Sequence, residues 1–274
     1  MADSPALDIR ILPRAGDSIH DRLYALLDDF EPVAINEDEA HGHWRVFFRS
    51  PSMRDAAAAA LGSIDGIDVT DIDVPDENWA RRSQENLRAI EAGGLIVAPP
   101  WDVPKGSKPV IIIEPSTGFG TGHHATTRLC LRMLQRLELR GARVLDIGTG
   151  SGVLALAAWK LGAGDVVAID NDPDALDSAR ENIARNGAAA AIDIIRDDLG
   201  SLRIERADVV LANLTGALLV RHVRELRSLP VDGGYLILSG FSPDDVAVIL
   251  RAFGGLRVIA QETEGDWAVV SLRA

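Results

Sequence analysis

Cysteine is almost absent from this chain. Cys130 is its only one, so neither a disulfide nor a cysteine-built zinc site can form within one copy. A reducing compartment suits such usage, and a cytoplasmic location is the expectation. Long uncharged apolar runs are also missing. None approaches the ~18 residues a bilayer-spanning helix needs, and Met1 to Arg14 has neither a basic n-region nor an apolar h-region. The expectation is an unexported chain with no membrane partner. Basic residues are outnumbered, 28 Lys and Arg against 41 Asp and Glu, and a formal charge of -13 repels nucleic acid phosphates. Direct nucleic acid binding is disfavoured. The acidity fits a basic protein partner as well as it fits plain solubility.

What the chain does have is apolar content, 47% over 274 residues, which suffices for a large core and a second, smaller one. Residues 7–74 read as β-α-β-β-α-β, the ferredoxin-like split unit. Leu7 to Leu12 is extended. Ser18 to Phe30 carries a helical stripe (Ile19, Leu23, Leu26, Leu27, Phe30) behind a candidate N-cap, Asp17. Pro32 to Ile35 and, after a polar Asn36 to Gly42 turn, Trp44 to Phe48 read as strands. Met53 to Leu61 reads as a helix and Ile67 to Val74 as the last strand. The expected domains are therefore 1–75, a small α+β unit, then a linker helix over 76–92 stopped by Gly93-Gly94, then 93–274. In the last of these, Leu95 to Ala98 and Val110 to Ile113 are short strand candidates. From Arg143 onward, apolar runs at 144–147, 166–169, 192–195, 209–212 and 235–238 alternate with helical patterns. That alternation predicts an α/β doubly wound, mostly parallel sheet. Arg257 to Gln261 and Trp267 to Leu272, around a Glu264-Gly265-Asp266 turn, predict a closing hairpin.

The chemistry gathers where strands end. Val144-Leu145-Asp146-Ile147 runs into Gly148, Gly150 and Gly152, which let the backbone turn tightly and approach a ligand. Gly150 to Ala155 also satisfies the G-x-G-x-x-G/A dinucleotide pattern with Asp170 about 20 residues on, so a nicotinamide-dependent oxidoreductase stays in play on the glycines alone. Asp146 points elsewhere: a carboxylate before the turn repels a diphosphate and attracts the ammonium and sulfonium of S-adenosylmethionine. Asp170 is placed to accept both ribose hydroxyl protons, and Asp197-Asp198, after the third strand, to accept from the adenine amino group, Asp198 being the better placed of the two. Asn213 ends the strand 209–212 and is the candidate catalytic residue, its side-chain oxygen accepting a proton from an attacking amine. His123-His124 has no clustered partner, so no metal is expected, and no Lys follows the glycines as a Walker loop requires.

With these blocks in order, the segment Glu114-Pro115-Ser116-Thr117-Gly118-Phe119-Gly120-Thr121-Gly122-His123-His124-Ala125-Thr126-Thr127 resembles the hallmark of the bacterial methyltransferases that modify large-subunit ribosomal protein L11. The resemblance is close from Asp76 to Leu272 and only topological over 1–75. It implies a class I methyltransferase Rossmann-like domain, a ferredoxin-like substrate-recognition domain and S-adenosylmethionine as cofactor. It also implies methylation of lysine, and of N-terminal amines, on a basic ribosomal protein by a monomer. Cofactor contacts are implied at Thr127, Gly148, Asp170 and Asn213, with Phe119 and the His123-His124 loop folding over the methionine end. Lysine methyltransferases of other proteins, such as the electron-transfer flavoprotein beta subunit, are similar in the cofactor domain and compete on substrate.

Overall fold

The computed structural model describes residues 4–12, 19–28, 30, 32–38, 42–62, 64–74, 87–115 and 123–274. The chain divides into two compact units, Met1–Glu85 and Asn86–Ala274.

The first unit comprises β1 (Ser4–Ile11), α1 (Ile19–Asp28), β2 (Ala34–Asp38), β3 (His43–Phe47), α2 (Pro51–Leu61) and β4 (Ile67–Val74). Its sheet has the order β2-β3-β1-β4 with every neighbouring pair antiparallel. Each helical crossover thus joins two strands with a third between them, as the split βαβ unit requires. Leu7 and Ile9 of β1, Trp44 and Val46 of β3 and Leu23 and Leu27 of α1 share one core with Ala57 and Leu61 of α2. The start of α2 is fixed locally: the Ser50 side chain accepts from the Met53 N–H, and Pro51 occupies the first turn. β2 runs on into residues read as a turn, because pairing with β3 from Ala34↔Phe47 to Asp38↔His43 supplies backbone bonds whatever the side chains. Asp17, the expected cap of α1, lies outside the described residues.

The second unit opens with β5 (Ile90–Ala92), β6 (Leu95–Ala98) and β7 (Val110–Ile112), a three-stranded sheet of its own. The linker helix of 76–92 lies mostly outside the described residues, but its end, 90–92, is a strand. Gly93, at φ +68, turns β5 back antiparallel onto β6 instead of stopping a helix.

Then follow α3 (Ala125–Leu134), β8 (Arg143–Ile147), α4 (Val153–Lys160), β9 (Asp165–Asp170), α5 (Pro173–Arg185), β10 (Ile192–Arg196) and β11 (Ala207–Asn213). The chain continues through α6 (Gly216–Arg221), α7 (Val223–Ser228), β12 (Pro230–Phe241), α8 (Val246–Ala252), β13 (Arg257–Glu264) and β14 (Trp267–Arg273). The sheet order is β10-β9-β8-β11-β12-β14-β13. β8 to β12 pair in parallel, and β14 runs antiparallel between β12 and β13. Both faces are covered, which is why these strands read as unbroken apolar runs. Val144, Val166, Val209 and Leu211 pack on the side of α3, α4 and α5; Leu145, Val167, Val210 and Ala212 pack on the side of α6, α7 and α8. The strand order reverses between β8 and β11, and a doubly wound sheet binds ligands beyond the carboxyl ends of its strands at such a point.

Candidate functional site

At that reversal the chain leaves β8 in a turn wrapped over the end of β9. The N–H groups of Gly148 and Thr149 both donate to the Ile169 carbonyl, at 2.9 Å each. The N–H of Gly150 donates to Asp170 Oδ2 at 3.0 Å. Gly148 sits at φ +70, a conformation that demands glycine, and an added Cβ would also push aside a terminal methyl of Leu214. Leu214 is held by its own N–H donating to the Ser239 carbonyl at 3.0 Å, and Gly240 at φ +99 lets the Leu214 backbone pass. Asn213, the last residue of β11, is thereby brought beside the turn.

Asp146 is not at the mouth of the turn, as the sequence reading had it, but underneath. It is 1% exposed, and its Oδ2 accepts from Thr149 Oγ1 at 2.7 Å and from the Ala155 N–H at 3.0 Å. One oxygen thus braces the turn against α4. The other, Oδ1, is buried and has no hydrogen-bond partner among the described residues. Desolvation dominates its titration and pushes the carboxyl up to about 6; the bonds from Thr149 and Ala155 oppose that, and nearby Asp170 adds to it.

Asp170, ending β9, is half-buried, and its two oxygens each take one backbone N–H, from Gly150 at 3.0 Å and from Asp172 at 3.1 Å. Each oxygen keeps a lone pair for a further donor. Past β10, the Asp197 N–H donates to the Asp170 carbonyl at 3.1 Å, which seats Asp198 on the same rim. Asp198 is exposed, its Oδ1 accepting from the Gly200 N–H at 2.8 Å. Asp146, Gly148, Gly150, Asp170, Asp198 and Asn213 therefore share one end of the sheet. Thr127 is 2% exposed in the first turn of α3, a helix that packs on β11, β12 and β14.

The cap of α3 is His124, whose Nδ1 accepts from the Thr126 N–H. Burial pulls the His124 pKa below its ordinary value, with Arg128 adding to it, which keeps the ring a neutral acceptor. Its ring meets Trp267 edge-on, 4.6 Å between centroids. Arg128 donates to the His123 carbonyl and through Nε to Glu264 at 2.6 Å, so the far hairpin secures this end of the hallmark segment. Phe119 and the rest of 116–122 lie outside the described residues. Among the described residues, no group of three or more His, Cys, Asp or Glu side chains is placed to hold a metal.

Sequence reasoning missed Asn182 and Asn186 on the α5 side. Asn182 is fully buried, its Nδ2 donating to the Ser151 carbonyl at 3.0 Å and its Oδ1 accepting from the Glu114 N–H at 2.8 Å. Asn186 accepts from the Ile112 N–H at 2.9 Å and donates to the Ile112 carbonyl at 2.7 Å. The available signal was a polar residue on the apolar face of α5, in step with Leu176, Ala179 and Ile183.

A seven-stranded sheet with this order, an antiparallel penultimate strand and a glycine turn after β8 is the class I methyltransferase fold. The chain belongs to the ribosomal protein L11 methyltransferase (PrmA) family, whose model matches residues 28–274. It is similar to the ribosomal protein L11 methyltransferase of Geobacter sulfurreducens, with 41% identity over 205 residues, covering 73% of this chain and 67% of that protein. It is also similar to the ribosomal protein L11 methyltransferase of Azotobacter vinelandii, with 35% identity across 96% of both chains. Among solved structures, the ribosomal protein L11 methylase of Lactobacillus delbrueckii subsp. bulgaricus superposes with a TM-score of 0.64 at 28% identity, covering 68% of this chain and 98% of that one.

Proposed function

We propose that the chain uses S-adenosylmethionine to methylate lysine side chains, and N-terminal amines, of ribosomal protein L11, as a monomer in the cytoplasm. The observation that carries the cofactor reading is the unpaired, buried Oδ1 of Asp146 beside the glycine turn. An ammonium satisfies that oxygen; a diphosphate would meet a carboxylate instead. The turn itself weighs the same way, because the N–H groups of Gly148, Thr149 and Gly150, which would cradle a diphosphate, are already committed to Ile169 and Asp170. The nicotinamide alternative lacks that support.

The residues present fit the cofactor. Asp146 would hold the amino acid ammonium, Asp170 the ribose hydroxyls and Asp198 the adenine amino group, with Gly150 letting the backbone approach the ligand and Gly148, Phe119 and Thr127 completing the contacts by family resemblance. When bound, S-adenosylmethionine supplies a methyl group on a positively charged sulfur. The chain's own part is to present a neutral amine nitrogen, although free lysine holds its proton up to a pKa of ~10.4. Entry into a dry crevice favours the neutral amine, its proton leaving to solvent, and the carboxamide oxygen of Asn213 would accept a hydrogen bond from one of its N–H groups and so orient the lone pair. The first unit, a separately cored sheet, would present the basic substrate. A competing substrate, such as the electron-transfer flavoprotein beta subunit, is an outcome of the same test.

That test is transfer of labelled methyl from S-adenosylmethionine to purified L11, followed by mass spectrometry of the product. Label on L11 amines supports the proposal; label only on another protein of an extract moves the substrate, and no label with either removes the activity. In parallel, Asp170→Asn should weaken binding of S-adenosylhomocysteine by about 10- to 100-fold, as expected when hydrogen bonds to a charged acceptor are lost. Unchanged calorimetric affinity would show the ribose assignment to be wrong.

A further inference from the structure

We propose that Asn182 is a positioning residue that locks the glycine turn to Glu114, where the hallmark segment begins, and that cofactor affinity depends on this lock. The inference rests on the cofactor reading above and adds a residue to it that touches no cofactor.

A carboxamide that is 0% exposed on the apolar face of α5 is unfavourable unless its donor and its acceptor are both satisfied. Here both are, and by backbone groups 37 residues apart in sequence: Ser151 O at 3.0 Å and Glu114 N at 2.8 Å. Ser151 lies inside the turn, between Gly150 at φ +52 and Gly152 at φ +82, where the backbone has left the strand and α4 has not begun. Glu114 leaves the free edge of β7. One turn further along α5, Asn186 pairs both backbone groups of Ile112 as a neighbouring strand would, and Arg185 Nη2 reaches Glu114 Oε2 at 2.9 Å. These three residues hold 112–114 to α5, but of the three Asn182 alone also reaches the turn. A flat group with one donor and one acceptor fixes the distance between Ser151 and Glu114. Displacing either backbone therefore displaces the other.

The test uses the full chain and the affinity for S-adenosylhomocysteine measured by calorimetry. Asn182→Leu removes both bonds at similar volume and should weaken binding by about tenfold or more. Asn186→Leu, which loosens β7 without touching the turn, should change it by less than about threefold. Asn182→Asp distinguishes a lock from mere packing. Protonated, its carboxyl donates to Ser151 and accepts from Glu114 as the amide does; ionised, it sets a negative oxygen against the Ser151 carbonyl. Because Asp146 also titrates, the variant-to-parent ratio is compared at each pH. That ratio should approach one at pH 5 and rise at least about tenfold by pH 8.5. A pH-independent ratio, or an Asn182→Leu affinity equal to the parent's, overturns the proposal. Should the variants fail to fold, amide exchange on the unsubstituted protein decides: saturating S-adenosylhomocysteine should slow exchange at Glu114 together with Gly150. Slowing at Gly150 with Glu114 unchanged overturns the lock. A parent protein that takes up no S-adenosylhomocysteine overturns the cofactor reading and this one with it, and is recognised because no substitution is needed to see it.

Discussion

At Asp146 stability and binding oppose each other. Its carboxyl is raised from 3.8 to about 6 in the fold, so between those values the folded state keeps a proton that the unfolded chain has released. Unliganded stability must then fall as pH rises from about 4 to about 6, by at most ~3 kcal/mol, and stay lower above. Asp146→Asn should flatten that profile and raise the unliganded melting temperature at pH 8 while weakening S-adenosylhomocysteine binding; urea titrations at pH 4 and pH 8 check it, and an unchanged slope would remove the assignment. Bound ligand should show the reverse trend in the parent, its affinity climbing as the carboxyl ionises near pH 6. Gly148 carries a second conflict, since any side chain there meets both a left-handed backbone and Leu214. Gly148→Ala should cost roughly 1–3 kcal/mol of stability, and adding Leu214→Ala should not restore it fully, because the backbone strain at φ +70 remains. Denaturant midpoints of the two variants measure this; full recovery in the double variant would assign the whole cost to the overlap. The sequence signalled Asp146, Gly148 and Asp170 through their place after apolar strands. It could not signal that one Asp146 oxygen would be spent inward on Thr149 and Ala155, which depends on how α4 packs back over β8.

Elements were legible where their period was unmixed. The strands from β8 to β12 show as apolar runs because both of their faces are covered, and α2 shows through its small and apolar residues. What escaped was set by contacts between segments. β5 is made a strand by pairing with β6 through the Gly93-Gly94 turn, although the same glycines equally mark a helix end. The cap of α3 is a histidine, a residue without a strong capping preference, held in place by Trp267 from the far hairpin. α2, by contrast, has a cap that sequence rules name, Ser50 before Pro51, with the Met53 N–H at 3.3 Å. Ser50→Ala should destabilise the first unit by about 1 kcal/mol. Amide exchange confined to 4–74 would reveal it, and an equal loss across the second unit would mean that the two unfold as one.

For the whole molecule, the two units, Met1–Glu85 and Asn86–Ala274, have separate sheets and separate cores, and their division falls within the 76–92 stretch read as a linker. Sequence could place the doubly wound unit from its strand-end residues, but it could fix this junction only loosely, since the polar stretch after β4 carries little more than Trp79 and Leu87 at helix-compatible spacing. A fragment of residues 86–274 should bind S-adenosylhomocysteine within about threefold of the full chain yet lose most transfer to L11, if the first unit presents the substrate. Intact transfer by the fragment would place recognition in the second unit. With a net charge of -13, the encounter with a basic substrate should also slow as salt rises, most steeply below ~0.15 M, where screening lengths exceed ~8 Å. The order of strands at the far edge has one more consequence. β14 is translated after β13 but lies inside it, between β13 and β12. A nascent or truncated chain that stops before Trp267 does not merely lack a border strand: β13 has nothing to hydrogen-bond to, and β12 offers a naked, aggregation-competent margin until β14 slots into the gap.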